Sequence, residues 1–385
     1  MASFIPENVP ESHSAVVIAA PRVPLEIHMR HTEAPGAGEA LIHVEWTSST
    51  PLDLHQADGG LLVEPPHAMG SSFGGTIIAL GPIDPANSES HNPKLQVGDT
   101  VFGFAFRNAR EKSHQTYLTT STFLCSRLPA NLTLEQAVAV PANLVTAFHT
   151  ITADLELPLP WPVQEPSKES RNAPILIWGA ASSVGEYALQ VLRHWGYENL
   201  LAVASEKHHT RLKALGAKTT FDYNDSSVVE KILNFAGTAS EAEPRIPYIL
   251  DCIGSLEGTL RPLAQIAEPG AKVAVMLPVI NIHASKDTPP EYEMDVSKSL
   301  SGEWREGVKV RGTRTHFYLR NEDFKSRLQS EIVPTLLEKG IIQPNKIRVV
   351  EGKTLLERAE NALSLLRDQA PSGEKLVWRV AEKNE

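Results

Sequence analysis

The sequence predicts an α/β chain in which a β-rich part made of short strands is followed by a doubly wound parallel sheet. Two observations carry this prediction. A strand, a small-residue turn and a helix at residues 174–195 open a run of alternating strands and helices. Before that run, short apolar or alternating segments are separated by glycine- and proline-containing turns. The length of 385 residues suits two domains, each with its own core.

The β-rich part begins with the apolar run Ala15-Val16-Val17-Ile18 and the partly alternating Ala40 to Trp46. Pro35-Gly36-Ala37-Gly38 turns the chain between them. Gly74 to Gly81 reads as a strand bounded by glycines, and Val97-Gly98-Asp99-Thr100-Val101 as a tight turn into another strand. Thr133 and Gln136 form a capping box that opens a helix, interrupted at Pro141 and resumed through Phe148. Residues 158–174, rich in proline and charge, read as an exposed loop.

Strands then alternate with helices. Pro174 to Trp178 is a buried strand, and Val184 to Trp195 a helix. Leu200 to Ala204 is the next strand, and His209 to Leu215 a short helix stopped by Gly216. Tyr248 to Cys252 and Lys272 to Leu277 are later strands. Near the C-terminus, Leu355, Leu356, Ala359, Ala362, Leu363 and Leu366 share one helical face, and Lys375 to Val380 reads as a last strand.

Composition narrows the function classes. The net charge is -10 and no basic stripe occurs, which argues against nucleic acid. Two distant cysteines, Cys125 and Cys252, suit a reducing compartment better than a disulfide framework. The opening residues carry no positive n-region with an apolar core, and no apolar run is long enough for a bilayer. The expectation is a cytoplasmic protein that acts on a small molecule away from membranes.

The turn Gly179-Ala180-Ala181-Ser182-Ser183-Val184-Gly185 carries the strongest chemical signal. Small residues let a backbone approach a pyrophosphate, and a helix start supplies free N–H groups and partial positive charge. Ser182, Ser183, Val184 and Gly185 are the cofactor residues expected here, although Ser182 stands where a glycine is usual. The next strand ends Ala204-Ser205-Glu206-Lys207-His208. An NAD site usually has an acidic residue at that place for the ribose hydroxyls. Ser205, Lys207 and His208 instead suit the 2′-phosphate of NADPH, with Glu206 a dissenting charge expected to point away.

Taken together, these segments resemble the medium-chain dehydrogenase/reductase superfamily. Residues 35–44, the Val97-Gly98-Asp99-Thr100-Val101 turn, and Leu215-Gly216-Ala217 with Asp222-Tyr223 match its pattern in order. Ser372-Gly373-Glu374-Lys375-Leu376-Val377 is similar to the C-terminal motif of the quinone-oxidoreductase branch, which includes fungal trans-acting enoyl reductases. The resemblance implies a GroES-like catalytic domain over 1–150, a Rossmann NADPH-binding domain over 151–315, and a return to the catalytic domain over 316–385. Substrate would bind in the cleft between them.

The resemblance also places the site. Zinc-dependent members carry metal ligands where this chain has Thr50, Ser71 and Ala142, none of them a good zinc donor, so no metal is expected. Without a Lewis acid, alkoxide chemistry loses support, and reduction of an activated C=C in an enone, quinone or enoyl thioester fits better. Thr50 and Asp53 occupy an Asn-Pro-x-Asp motif that lies against the nicotinamide. His55 stands where relatives often have lysine and is the candidate proton relay; a surface histidine is the competing reading. Thr146, Leu277, Pro278 and Ser372 would also contact the cofactor, and Tyr223 would pack near its 2′-phosphate. A polyketide synthase is a possible partner, and the chain would be a monomer or homodimer. The competing functions are a zinc-free alcohol dehydrogenase and a non-catalytic NADPH-binding protein.

Overall fold

A computed structural model describes residues 5–83, 92, 94–237 and 243–381. The chain divides into two compact units. One holds the residues up to Ala142, Ala284–Pro289 and those from Tyr318 onward; the other holds Asn143–His283 and Pro290–Phe317. The divisions fall after Ala142 and after Phe317, where the sequence places them after 150 and after 315. The excursion at Ala284–Pro289 has no sequence signal, because it arises from contacts of an unpatterned loop. Arg22 donates to the carbonyls of Ser285, Lys286 and Thr288.

The first unit is built on a mainly antiparallel sheet. Its strands run in the order Ile347–Val349, Lys375–Arg379, Glu39–Ser49, Ser72–Leu80, Thr100–Phe104 and Cys125–Arg127, and Tyr117–Ser121 also pairs with Glu39–Ser49. The long strand Glu39–Ser49 serves three neighbours because it pairs with Ser72–Leu80 along its length and, in succession, with Tyr117–Ser121 over Glu39–His43 and with Lys375–Arg379 over Trp46–Ser49. Its register against Ser72–Leu80 shifts between Leu41 and Ile42 and again between Val44 and Trp46. Such bulges bend a strand and add twist. Its C-terminal end meets the last strand of the chain, with Leu376 opposite Ser49 and Val377 opposite Ser48. A smaller sheet pairs Ser12–Ile18 with Glu26–His31 and His67–Ala68.

The second unit contains the doubly wound parallel sheet that the sequence predicts. Its six strands run Thr219–Phe221, Leu200–Val203, Ile175–Trp178, Tyr248–Asp251, Lys272–Met276 and Lys309–Thr313. Every pair is parallel. The central strands are apolar at nearly every position, as a sheet covered on both faces requires. Leu176, Leu201, Val203, Ile249 and Val273 join Ile232, Leu260 and Leu263 in one core. Each such side chain contributes about 1.5–3 kcal/mol over its exposed state. The strand order reverses at Ile175–Trp178, so the crevice beyond its carboxyl end is the expected ligand position.

Two local predictions can be refined. The box at Thr133 forms: Gln136 N donates to the Thr133 hydroxyl, and Thr133 N donates to Gln136 Oε1. The segment 158–174 is not a plain loop. It carries a short helix, Lys168–Asn172, capped by Ser167. The carbonyls of Pro158 and Pro160 accept hydrogen bonds from Tyr197 Oη at 3.1 Å and Trp195 Nε1 at 2.9 Å.

Candidate cofactor and active-site residues

The turn after Ile175–Trp178 is shaped by two glycines. Gly179 has φ of +75°, and a Cβ there would stand 2.5 Å from Ile253 Cγ1. A Cβ on Gly185 would stand 2.6 Å from Ala180 Cα, so only glycine lets the helix start fold back onto the turn. The N–H groups of Gly179 and Ala180 both donate to Val203 O at 3.0 Å, which fixes the turn to the neighbouring strand. Helix Ser183–His194 begins at once, and the Ser182 hydroxyl accepts from Gly185 N at 3.2 Å as its N-cap. Ser182 therefore meets the helix's own amide, and its hydroxyl also bonds Cys252, whose thiol burial pushes up.

Asp251 holds the loop opposite this turn. Its carboxylate is fully buried and accepts from Ile253 N at 2.9 Å, Gly254 N at 3.1 Å and Thr259 Oγ1 at 2.6 Å. Burial raises its pKa to about 6, against those hydrogen bonds. The loop so fixed presents Ile253 to Gly179.

The neighbouring strand end forms a cationic lip. Val203 lies opposite Phe221, and Ala204 N donates to Phe221 O, so Ser205 and Tyr223 leave adjacent strand ends. Ser205 precedes the single turn Glu206–His208, and His209 Nε2 lies 3.0 Å from Ala204 O. Lys207 is exposed, and Tyr223 is 49% exposed. The pKa of His208 is lowered by partial burial and then by Lys207 and Arg211. Arg211 is not among the residues the sequence marks; the available signal is its position four residues after Lys207, at a helical spacing. Its guanidinium grips Glu186, in the first turn of the glycine-turn helix, through Nε at 2.6 Å and Nη2 at 2.8 Å.

Other expected contacts lie at the carboxyl ends of the same sheet. Leu277 and Pro278 follow Lys272–Met276, and Leu277 packs so closely on Gly312 that a Cβ there would meet it at 2.6 Å. Thr146 Oγ1 lies 3.0 Å from Thr315 Oγ1. The second unit thus gathers Ser182, Ser183, Val184, Gly185, Ser205, Lys207, His208 and Tyr223 around one switch point. The cradle that a Cβ would fill, the capped helix and the cationic lip fit a dinucleotide.

The first unit gathers Thr50, Asp53 and His55 on one short helix, Pro51–Gly59. Thr50 N donates to Asp53 Oδ2 at 2.7 Å, and Asp53 N donates to Thr50 O at 3.0 Å. Asp53 is 4% exposed. Burial raises its pKa to about 6, opposed by Thr50, Lys375 and Lys112. Lys375 is 5% exposed; burial lowers its pKa to about 8, and Asp53 opposes that shift. The pairing of Leu376 with Ser49 brings Lys375 beside Thr50. In the sequence Lys375 stands in the C-terminal motif without a role, since nothing in a local pattern marks a lysine as buried. His55 is 9% exposed, which removes the surface reading. Ser372 is exposed.

The places of the metal ligands hold Thr50, Ser71 and Ala142, which offer two hydroxyls and a methyl group. Among the described residues no group of three His, Cys, Asp or Glu could hold a metal ion. Among them, too, no helix is long and apolar enough to cross a membrane.

The alcohol dehydrogenase GroES-like domain family matches residues 36–149. The chain is 31% identical to the trans-enoyl reductase tazE of Aspergillus terreus, over 66% of this chain and 80% of that protein. It is 26% identical, over 89% of each chain, to the enoyl reductase component lovC of lovastatin nonaketide synthase from Aspergillus terreus. A quinone oxidoreductase of Pseudomonas syringae shares the fold, with a TM-score of 0.69 and 18% identity over 95% of this chain and 99% of that one. The chain belongs to the medium-chain dehydrogenase/reductase superfamily and is an oxidoreductase of that type. Fungal trans-enoyl reductases are among its relatives in that superfamily.

Proposed function

We propose that the protein is an NADPH-dependent reductase of activated C=C bonds in enones, quinones or enoyl thioesters. The observation that carries this reading is the lip, where Ser205 takes the strand-end place at which an acidic residue would suit NAD, and Lys207 and His208 follow the exposed Glu206. NADPH, when bound, supplies a hydride. The chain's own residues would do the rest. Gly179 to Gly185 would cradle the pyrophosphate, with Ser182 and Ser183 at the helix start. Ser205, Lys207, His208 and Tyr223 would hold the 2′-phosphate. Thr50, Asp53, Thr146, Leu277, Pro278 and Ser372 are the remaining cofactor residues proposed, and His55 is the candidate proton relay. The donor set Thr50, Ser71 and Ala142 supports alkene over alcohol chemistry, because none is a ligand zinc prefers.

The kinship with an enoyl reductase component of a synthase supports a narrower reading, a trans-acting enoyl reductase beside a polyketide synthase. The test is a panel of activated alkenes with NADPH, followed by loss of cofactor absorbance. Turnover on an enoyl thioester supports the reading. Tight NADPH binding with no turnover on any alkene replaces it with a binding protein. Changing Lys207 and His208 together to alanine should weaken NADPH far more than NADH; equal loss for both refutes the 2′-phosphate assignment.

A further inference from the structure

Glu186 and Arg211 form an ion pair that the cofactor motif does not require. Glu186 lies in the first turn of Ser183–His194 and its side chain is 1% exposed; that of Arg211 is 38% exposed. Two parallel bonds, 2.6 and 2.8 Å, use Nε and Nη2. Nη1 stays outside the pair. Such a fork fixes a guanidinium in plane and orientation. Arg211 sits on helix His209–Leu215, directly after the Glu206–His208 turn, so its open side belongs to the lip.

We infer that Arg211 is the fixed cation of the 2′-phosphate site and that Glu186 positions it. This rests on the NADPH reading above. Lys207 is exposed, so ordering its ammonium against a phosphate costs side-chain entropy. Arg211 is already ordered, so its contact keeps more of its gross energy. The pair also settles a conflict of charge. A carboxylate in the first turn of a phosphate-binding helix competes with the phosphate for the positive helix end. Arg211 neutralises Glu186 without occupying that helix end.

The test uses Arg211→Gln, Arg211→Lys and Glu186→Gln in the full chain. Dissociation constants for NADPH and NADH come from nicotinamide fluorescence, and those for 2′,5′-ADP and 5′-AMP from calorimetry. Arg211→Gln should weaken NADPH and 2′,5′-ADP by about tenfold or more, the loss of one strong charge-assisted contact, and NADH and 5′-AMP by less than about twofold. Arg211→Lys keeps the charge but not the fork, so it should fall between, at about threefold. It also stands in should the glutamine variant not fold. Glu186→Gln should weaken NADPH by about threefold and spare NADH, because Arg211 loses its tether. Equal losses for phosphorylated and unphosphorylated ligands, or no loss, would make the pair purely structural and overturn the inference. A wild-type protein that binds NADPH and NADH alike would overturn the cofactor reading as well.

Discussion

The glycine turn of the second unit and the buried carboxylate Asp53 of the first present opposite designs. At Gly179–Gly185 the turn and the helix start lie within seven consecutive residues, and the backbone does the work. At Asp53 the local amide of Thr50 is joined by a cation, Lys375, that lies at the far end of the chain and acts through a side chain. A local site is robust to changes elsewhere but intolerant of any added atom. A long-range site tolerates atoms but not the loss of a charge.

The largest expected effect follows from that second design. Lys375→Met leaves Asp53 buried with only Lys112 as a cation. Removing the cation that faces a buried carboxylate costs up to about 3–5 kcal/mol, and that loss should appear in urea denaturation. Adding Asp53→Leu should recover at least about half of it, because a buried pair can be exchanged for apolar packing at little cost. If the double variant is no more stable than the single one, Asp53 acts chiefly through Thr50 and not through Lys375.

Gly185→Val tests the first design. Its branched side chain would begin 2.6 Å from Ala180 Cα, a backbone atom that cannot rotate away. Cofactor affinity should fall by about a hundredfold, equal to about 2.7 kcal/mol, with NADPH and NADH affected alike. Equal loss is the point of contrast with Arg211, where only the phosphorylated ligands should suffer. A protein that keeps its affinity would show that the turn does not carry the pyrophosphate.

The two designs also account for what was legible in the sequence. The doubly wound sheet was readable because its strands are apolar throughout and its helices have clear stops, such as Gly216 after Leu215. The turn was readable because a run of small residues between a strand and a helix leaves the backbone open to a ligand. Arg211 was not, because its role depends on Glu186, a residue 25 positions away on another helix. Lys375 was hidden for the same reason: burial of a lysine is decided by the pairing of Leu376 with Ser49. The sequence groups Ala284–Pro289 with its chain neighbours, but a loop's allegiance is set by what caps its carbonyls, here Arg22.

Within the long-range design, a buried histidine responds to pH in the opposite sense to Asp53. His114 in the first unit is fully buried, lies edge-on to Trp378 at 4.6 Å, and has no hydrogen-bond partner for either ring nitrogen. Burial, with Lys112 adding to it, lowers its pKa to about 3. The folded state therefore takes up this proton later than the unfolded chain. Its contribution is fully present above the unfolded pKa of 6.5 and is lost as pH falls toward 3. At pH 5 the loss is about 2 kcal/mol. Asp53 works the other way: its folded pKa is raised to about 6, so its contribution grows as pH falls from 6 to 3.8. His114→Phe should remove the first effect and keep the second. The difference in Tm between variant and wild type should therefore widen steadily from pH 7 to pH 4. A constant difference would mean that His114 takes up its proton in the folded state as readily as in the unfolded chain.

The smallest effect is expected where the sequence departs most visibly from a dinucleotide fingerprint. Ser182 stands in a glycine's place, yet its hydroxyl is occupied within the protein, accepting from Gly185 N and bonding Cys252. Its φ of -70° is ordinary, so the position does not demand glycine. Ser182→Ala should cost about 1 kcal/mol, the usual value of an N-cap hydroxyl, whereas Ser182→Gly should cost only a few tenths. Neither should change NADPH affinity by more than about twofold, since each leaves the backbone amides of the turn in place. Thermal melts and fluorescence titration on the same samples separate the two quantities. A large affinity loss in Ser182→Gly with unchanged stability would show that the hydroxyl turns from the helix to the cofactor on binding, and the turn would then depend on a side chain after all.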